Sequence, residues 1–301
     1  MATIAAVVNK AVADDKSVLL FYRAQSGQLG LSLQSGTGQE DQPAGTWETG
    51  SDDYEGYIMS PSHMAATYYR GVHLVAAVTM PKLAEGEEVV DHRNISLVSP
   101  VYQTLTTTTL DFNRIAMCAK PDGDEGWLYY YDGTNPDQRN LKEFSLMTGT
   151  STAYDQVVYS IKPSSSLAAW YNPDMKTRHV VFQGSSIMEY VVGDLQIIPI
   201  VAAYKASIPI AAVYSSVTKK AYVYYIDVNN AIQRIPKVGS TWMTPEMVTV
   251  NAPPIAEGSQ LTVVNANGYN HLFYVPKDSG SSNGTKAASF SSFTHFVDEI
   301  S

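Results

Sequence analysis

The 301-residue sequence holds a single cysteine, Cys118. A disulfide framework needs paired cysteines and a thiolate zinc site needs several, so both are excluded. The lone thiol reads as a small buried hydrophobe. Charge is also scarce. Only 16% of residues are Asp, Glu, Lys or Arg, and the 29 acids outnumber the 20 bases to give a net charge of −9. Such a chain is unsuited to general binding of nucleic acid or of an anionic membrane. No uninterrupted run of about 18 apolar residues occurs, so no membrane span is expected. The apolar start of the chain breaks at Asn9 and Lys10 and lacks the basic beginning of a secretory signal, which makes the cytoplasm the expected location. The triplets at Asn94 and Asn283 are then expected to carry no sugar.

Catalytic signatures are missing too. There is no phosphate-binding glycine loop, dinucleotide fingerprint, Gly-x-Ser-x-Gly or His-Glu-x-x-His. The six histidines (His63, His73, His92, His179, His271 and His295) do not fall at close zinc-ligand spacing. No metal and no cofactor is expected.

What the chain does have is aromatic and β-branched residues: 20 Tyr, 8 Phe and 4 Trp within a hydrophobic share of 45%. These types favour strands. They are arranged in a repeat of roughly 50 residues. A short strand rich in small residues recurs as Ile4–Val7, Met64–Thr67, Ile115–Cys118, Leu167–Trp170, Ile210–Val213 and Leu261–Val264. Each is followed by a strand dense in aromatic and branched residues, such as Trp127–Tyr131, His179–Gln183, Tyr222–Ile226 and His271–Val275. Gly, Asp and Asn turn signals come next, and then an alternating third strand, for example Leu141–Leu146 and Ile187–Tyr190. A fourth strand is visible around Trp47 and Trp242.

This order predicts an all-β fold, a six-bladed β-propeller with about four antiparallel strands per blade. The alternatives are a pair of β-sandwiches or an irregular all-β fold. The 301 residues are read as one propeller domain with approximate repeats 1–60, 61–111, 112–163, 164–207, 208–257 and 258–301. Paired alanines suit the crowded innermost strands. Segment 81–93 reads as a charged loop and 277–286 as a Ser/Gly-rich hairpin. The repeat signatures of WD40 and kelch propellers are absent, and Asp122–Trp127 has only a partial likeness to a sialidase Asp-box.

The succession of Ile-Ala-Ala-Val strand, aromatic strand, Gly turn, Ile-x-Glu strand and tryptophan resembles the fungal fucose-specific lectins over nearly the whole chain. The resemblance implies sugar sites built from an Arg of the second strand, a Glu of the third and nearby aromatics. At the Arg position this sequence has Trp127, His179, Tyr222 and His271 in repeats three to six, and Val18 or Leu19 in the first, where Arg23 lies past the strand. At the Glu position it keeps Glu143 and Glu189, with Leu31 in the first repeat and Arg234 in the fifth. No repeat keeps the full triplet, so a scaffold with eroded sugar sites is expected. Glu143 and Glu189 are expected to face solvent on alternating strands, and His73, His179 and His271 to lie at blade surfaces.

A reaction that needs no acid–base or metal machinery fits this profile. Orientation in an apolar pocket, with a few donors polarising an oxygen, accelerates a cycloaddition. In length, lack of a signal and lectin-like body, the chain resembles the fungal hetero-Diels–Alderases of tropolone–sesquiterpenoid pathways. That resemblance implies a cofactor-free coupling of an o-quinone methide to a humulene-type terpene. Arg178, His179, Arg234 and His271 are then the candidate catalytic residues, and Trp127, Tyr222, Tyr69 and Trp170 the substrate-binding walls. The expected partners are small apolar molecules and, by analogy with such lectins, a second copy of the chain. A carbohydrate-binding lectin and a protein-interaction platform are the other readings.

Overall fold

The computed structural model describes residues 3–12, 17–24, 26–35, 43–48, 57–81, 91–110, 112–121, 123–135, 138–155, 157, 161–162, 165–194, 197–202, 207–248, 252–277 and 293–300. Their secondary structure is strand joined by turns and short irregular segments, in six antiparallel sheets, each drawn from one continuous stretch of chain. The first sheet holds β1 (Ile4–Val8), β2 (Ser17–Arg23), β3 (Leu29–Ser35) and β4 (Pro43–Glu48). The second holds β5 (Met64–Tyr69), β6 (Val72–Thr79), β7 (His92–Ser99) and β8 (Gln103–Thr109). The third holds β9 (Ile115–Ala119), β10 (Gly126–Asn135), β11 (Gln138–Ser145) and β12 (Ser151–Tyr154). The fourth holds β13 (Leu167–Asn172), β14 (Thr177–Gln183), β15 (Ser186–Val191) and β16 (Ile197–Ala202). The fifth holds β17 (Ile210–Ser215), β18 (Lys220–Ile226), β19 (Ile232–Val238), β20 (Thr241–Trp242) and β21 (Glu246–Met247), the last two both pairing with β19. The sixth holds β22 (Thr262–Ala266), β23 (Tyr269–Tyr274) and β24 (Thr294–Glu299). The fold is a six-bladed β-propeller. The stretch read as a loop over 81–93 gives up its last two residues to β7, and the rest of it from 82 to 90, like most of 277–286, lies outside the described residues.

The chain divides into two compact units, 50–207 with blades two to four, and 1–49 with 208–301, holding blades one, five and six. Within 50–207 the small-residue strands β5, β9 and β13 pack side by side, which the short side chains of Ala65, Ala116 and Ala168 permit. In the other unit β22 lies between β17 and β1 in the same way.

Strand alternation explains the aromatic second strands. On β10, Trp127, Tyr129 and Tyr131 point into one core with Val180, Phe182 and Tyr190 of the fourth blade. Leu128 and Tyr130 point the other way, into a core with Ala76, Val78 and Ile95 of the second. A strand sandwiched between two blades is thus apolar on both faces. In the other unit Ile4, Leu20 and Tyr22 of the first blade share a core with Val264 and Phe273 of the sixth. Two-residue turns with positive φ, Arg70-Gly71 (49° and 81°) and Asn267-Gly268 (50° and 82°), close the first hairpins of blades two and six, and this backbone matches the twist of the paired strands.

Candidate functional site

The pairing registers fix which side chains are equivalent from blade to blade. The second residue of each inner-strand repeat (Ala5, Ala65, Ala116, Ala168, Ala211 and Thr262) pairs with a second-strand residue, and that residue pairs with Leu31, Leu97, Glu143, Glu189, Arg234 or His295 on the third strand of blades one to six. Two residues earlier on the second strand, and so on the same face, stand Leu19, Leu74, Trp127, His179, Tyr222 and His271. Blades one and two therefore carry a leucine pair, whereas blades three to six carry polar or aromatic groups at the same places. His295 is the member that sequence spacing missed, because the long stretch 278–292 separates it from its partner strand.

In the unit 50–207, the third and fourth blades build two contrasting clusters on opposite faces of β14. Arg178 donates from Nη1 to Glu143 Oε1 at 2.5 Å, and its guanidinium lies 4.7 Å from the centre of the Trp127 ring. Tyr171 stacks on Trp127 at 5.8 Å and 15°. The Glu143 side chain is 8% exposed and that of Arg178 27%, so the arginine is the outward member. Glu143 Oε2 and the Tyr129 hydroxyl are buried close to each other and to the Tyr154 phenol, outside the geometry of a direct hydrogen bond. Burial, with Cys118 and the Glu143 charge nearby, holds the Tyr129 phenol well above its ordinary value. Burial also pushes the Cys118 thiol up, which fits an inert packing role.

On the other face, His179 Nδ1 lies 2.7 Å from Glu189 Oε1 and His179 Nε2 lies 2.7 Å from Thr177 Oγ1. Trp170, opposite His179 in the register, stacks on the imidazole at 4.6 Å and 4°.

In the unit of blades one, five and six, Arg234 is held on every side. It donates through Nε and Nη2 to Glu246 at 3.1 and 2.5 Å, and through Nη1 to both Asp298 carboxylate oxygens at 3.0 Å and to the Glu299 carbonyl. Tyr222 lies beneath it at 5.9 Å, with its hydroxyl on Thr218 at 3.0 Å. Asp298 also accepts from the Tyr224 hydroxyl at 2.6 Å. Burial outweighs these partners and raises the Asp298 carboxyl. His271 Nδ1 is 3.0 Å from His295 Nε2, and Phe273 stacks on His295 at 4.6 Å.

The sequence-derived candidates are thus distributed over several clusters. Trp127 meets Arg178, Trp170 meets His179, Tyr222 meets Arg234, and His271 meets His295. Tyr69 stands apart, donating to the Asp124 carbonyl at 2.9 Å. Two expectations are corrected. Glu143 and Glu189 do not face solvent, because each third strand is covered by another blade or by its own partners, and both are buried. His179 and His271 are likewise buried inside their blades, while His73 is only partly covered. Among the described residues no set of three or more His, Cys, Asp or Glu is placed to hold a metal. No helix there is long and apolar enough to cross a membrane.

No family model and no curated protein sequence matches the chain. Solved structures do. The fucose-specific lectin from Aleuria aurantia matches at 14% identity and a TM-score of 0.66, over 91% of this chain and 88% of that one. AofleA from Arthrobotrys oligospora matches at 14% identity and 0.59, over 99% and 90%. The BP39L lectin from Burkholderia pseudomallei matches at 13% identity and 0.56, over 91% and 78%. At such identities the likeness is one of architecture: this chain has the six-bladed propeller fold of these lectins.

Proposed function

We propose that the chain is a lectin-like binding protein that takes a saccharide at the cluster of Arg178, Glu143, Trp127 and Tyr129. The observation that carries this reading is unused hydrogen-bonding capacity. A buried carboxylate oxygen and a buried phenol that face each other without reaching direct hydrogen-bond geometry mark a place where a ligand or an ordered water belongs. Arg178 donates a single hydrogen bond, to Glu143, among the described residues, which leaves further N–H groups of its fork for an incoming oxygen. A sugar hydroxyl both donates and accepts, so it matches a spare carboxylate beside spare guanidinium donors, and such charge-assisted bonds are directional. The fold shared with fucose-specific lectins supports the same reading. The difference from a lectin with an open aromatic is that the guanidinium already covers Trp127. The ring anchors the arginine, and the ligand exchanges contacts with Arg178 at the outer edge. A single site gives none of the avidity of a repeated one. A glycan array followed by titration calorimetry tests this. Binding at one site that Arg178→Ala removes is the expected result, and binding that Arg178→Ala leaves unchanged refutes it.

A cofactor-free hetero-Diels–Alder cycloaddition remains the second reading. What favours it is that aromatic or imidazole rings stand in four blades where the resembling lectins have an arginine, while Arg178 retains donors that could polarise a carbonyl oxygen. Incubation with a quinone-methide precursor and humulene would then yield one stereoisomer above the spontaneous background. Racemic product at the background rate would eliminate it.

A further inference from the structure

We infer that Thr177, His179 and Glu189 form a nucleophilic relay capable of acyl transfer from activated esters. The three side chains lie on the face of β14 opposite Arg178, so the inference is independent of the saccharide site. Thr177 and His179 are two residues apart and share a face, and Glu189 reaches them from β15, where it pairs with Val181. Both links are 2.7 Å. With Glu189 ionised, the chemistry sets their direction. Glu189 as a carboxylate can only accept, so His179 Nδ1 carries the proton. In a neutral imidazole Nε2 is then the bare nitrogen, and it accepts from the Thr177 hydroxyl. This is the order hydroxyl, imidazole, carboxylate that activates an alcohol nucleophile.

The environment adds to the pattern. The side chains of His179 and Glu189 are 2% and 0% exposed, so the base and its orienting acid are shielded from water. Stacked Trp170 holds the ring plane. Thr177, by contrast, is only partly buried at the open start of β14, just after the turn 173–176, so the reactive oxygen is the accessible end of the relay. Glutamate also burdens the fold here, since the equivalent positions of blades one and two hold leucine pairs.

The step balances as follows. Thr177 Oγ1 attacks the ester carbonyl carbon while its proton passes to His179 Nε2, and Glu189 faces the resulting imidazolium. Collapse of the tetrahedral adduct breaks the bond to the alcohol oxygen, which leaves with the proton from Nε2, and the acyl group stays on Thr177. Water then attacks the acyl carbon, gives one proton to Nε2, and the carboxylic acid departs as Thr177 recovers its hydrogen. Aryl esters are the substrate class, because their leaving groups need the least assistance.

The test is p-nitrophenyl acetate with the full chain, read by nitrophenol release and by peptide mass mapping. The expected result is acetyl on Thr177 and a fall of about a hundredfold in site-specific acetylation in Glu189→Gln, whose amide can donate to Nδ1 and select the wrong tautomer. Glu189→Asp should restore part of it, and Thr177→Ser should retain the adduct at residue 177. Thr177→Ala, at a partly exposed position, is the variant least exposed to misfolding, and an unchanged thermal midpoint checks that. Equal nitrophenol release by Thr177→Ala and the parent, or acetyl found only on lysines and the N-terminus, would overturn the inference.

Discussion

Arg178 and Arg234 stand in comparable surroundings. Each lies over an aromatic ring of a second strand and donates to a buried carboxylate. Yet Arg234 directs its fork to two carboxylates and a carbonyl, whereas Arg178 has a single acceptor, beside which a second carboxylate oxygen and a phenol remain unsatisfied. The first arrangement is closed: it ties β24 to β19 and β21 in the unit of blades one, five and six. The second is open, and openness in a buried polar cluster is what distinguishes a place for a ligand from a structural clamp. The leucine pairs of blades one and two sharpen this. They show that the fold itself asks for nothing polar at these register positions, and buried ion pairs rarely stabilise more than apolar residues of similar volume.

The largest effect expected from this contrast is on stability at Arg234. Arg234→Ala leaves Asp298 buried without its cation and should cost roughly 3 kcal/mol in urea denaturation. Arg234→Lys should recover only part of that, since one ammonium cannot span Glu246 and Asp298 together. A cost below that of Arg178→Ala would break the comparison. Next comes the polar pair of blade four. Glu189→Leu alone leaves His179 Nδ1 unsatisfied and should cost about 2 kcal/mol. The double variant His179→Leu/Glu189→Leu, which copies blades one and two, should return to within about 1 kcal/mol of the parent or exceed it. A double variant less stable than the single would mean that the pair is structural after all. Arg178→Lys should change stability by less than about 1 kcal/mol, because its single ion pair can be remade by an ammonium, yet weaken the ligand by about tenfold.

The smallest effect is a pH slope. Burial, with Arg114 nearby, holds His63 neutral and well below its ordinary value of 6.5. A folded value below the unfolded one means that the unfolded chain takes up the proton first. The associated stability is therefore complete above 6.5 and is lost as pH falls from there toward the folded value. Thermal midpoints measured below pH 6.5 should decline less steeply in His63→Gln than in the parent.

Much of the architecture was legible in the sequence because it is periodic. The small-residue inner strands and the aromatic or β-branched second strands mark the six blades, and the register then aligns the second blade with the rest. The clusters were less legible for physical reasons. Glu143 follows Lys142 on its strand, and a carboxylate beside another charged residue reads as solvent-facing. Its partner Arg178 comes from the following blade, one residue before His179, so a search for arginine and glutamate within one blade could not find the pair. Asp298 and Glu246 lie in the final strand of one blade and the outer strand of another, far from Arg234 in one case along the chain. Thr177 becomes notable only when the hydrogen-bond direction through His179 is known.

The central claim is that Arg178, not the repeated second-strand position, reads the ligand. Titration of the parent, Arg178→Ala and Arg234→Lys with α-methyl fucoside and with the best ligand from a glycan array tests it most directly. The account predicts one saccharide site in the parent, its loss in Arg178→Ala and its retention in Arg234→Lys. Several equivalent sites, or saccharide binding that survives Arg178→Ala, would contradict it.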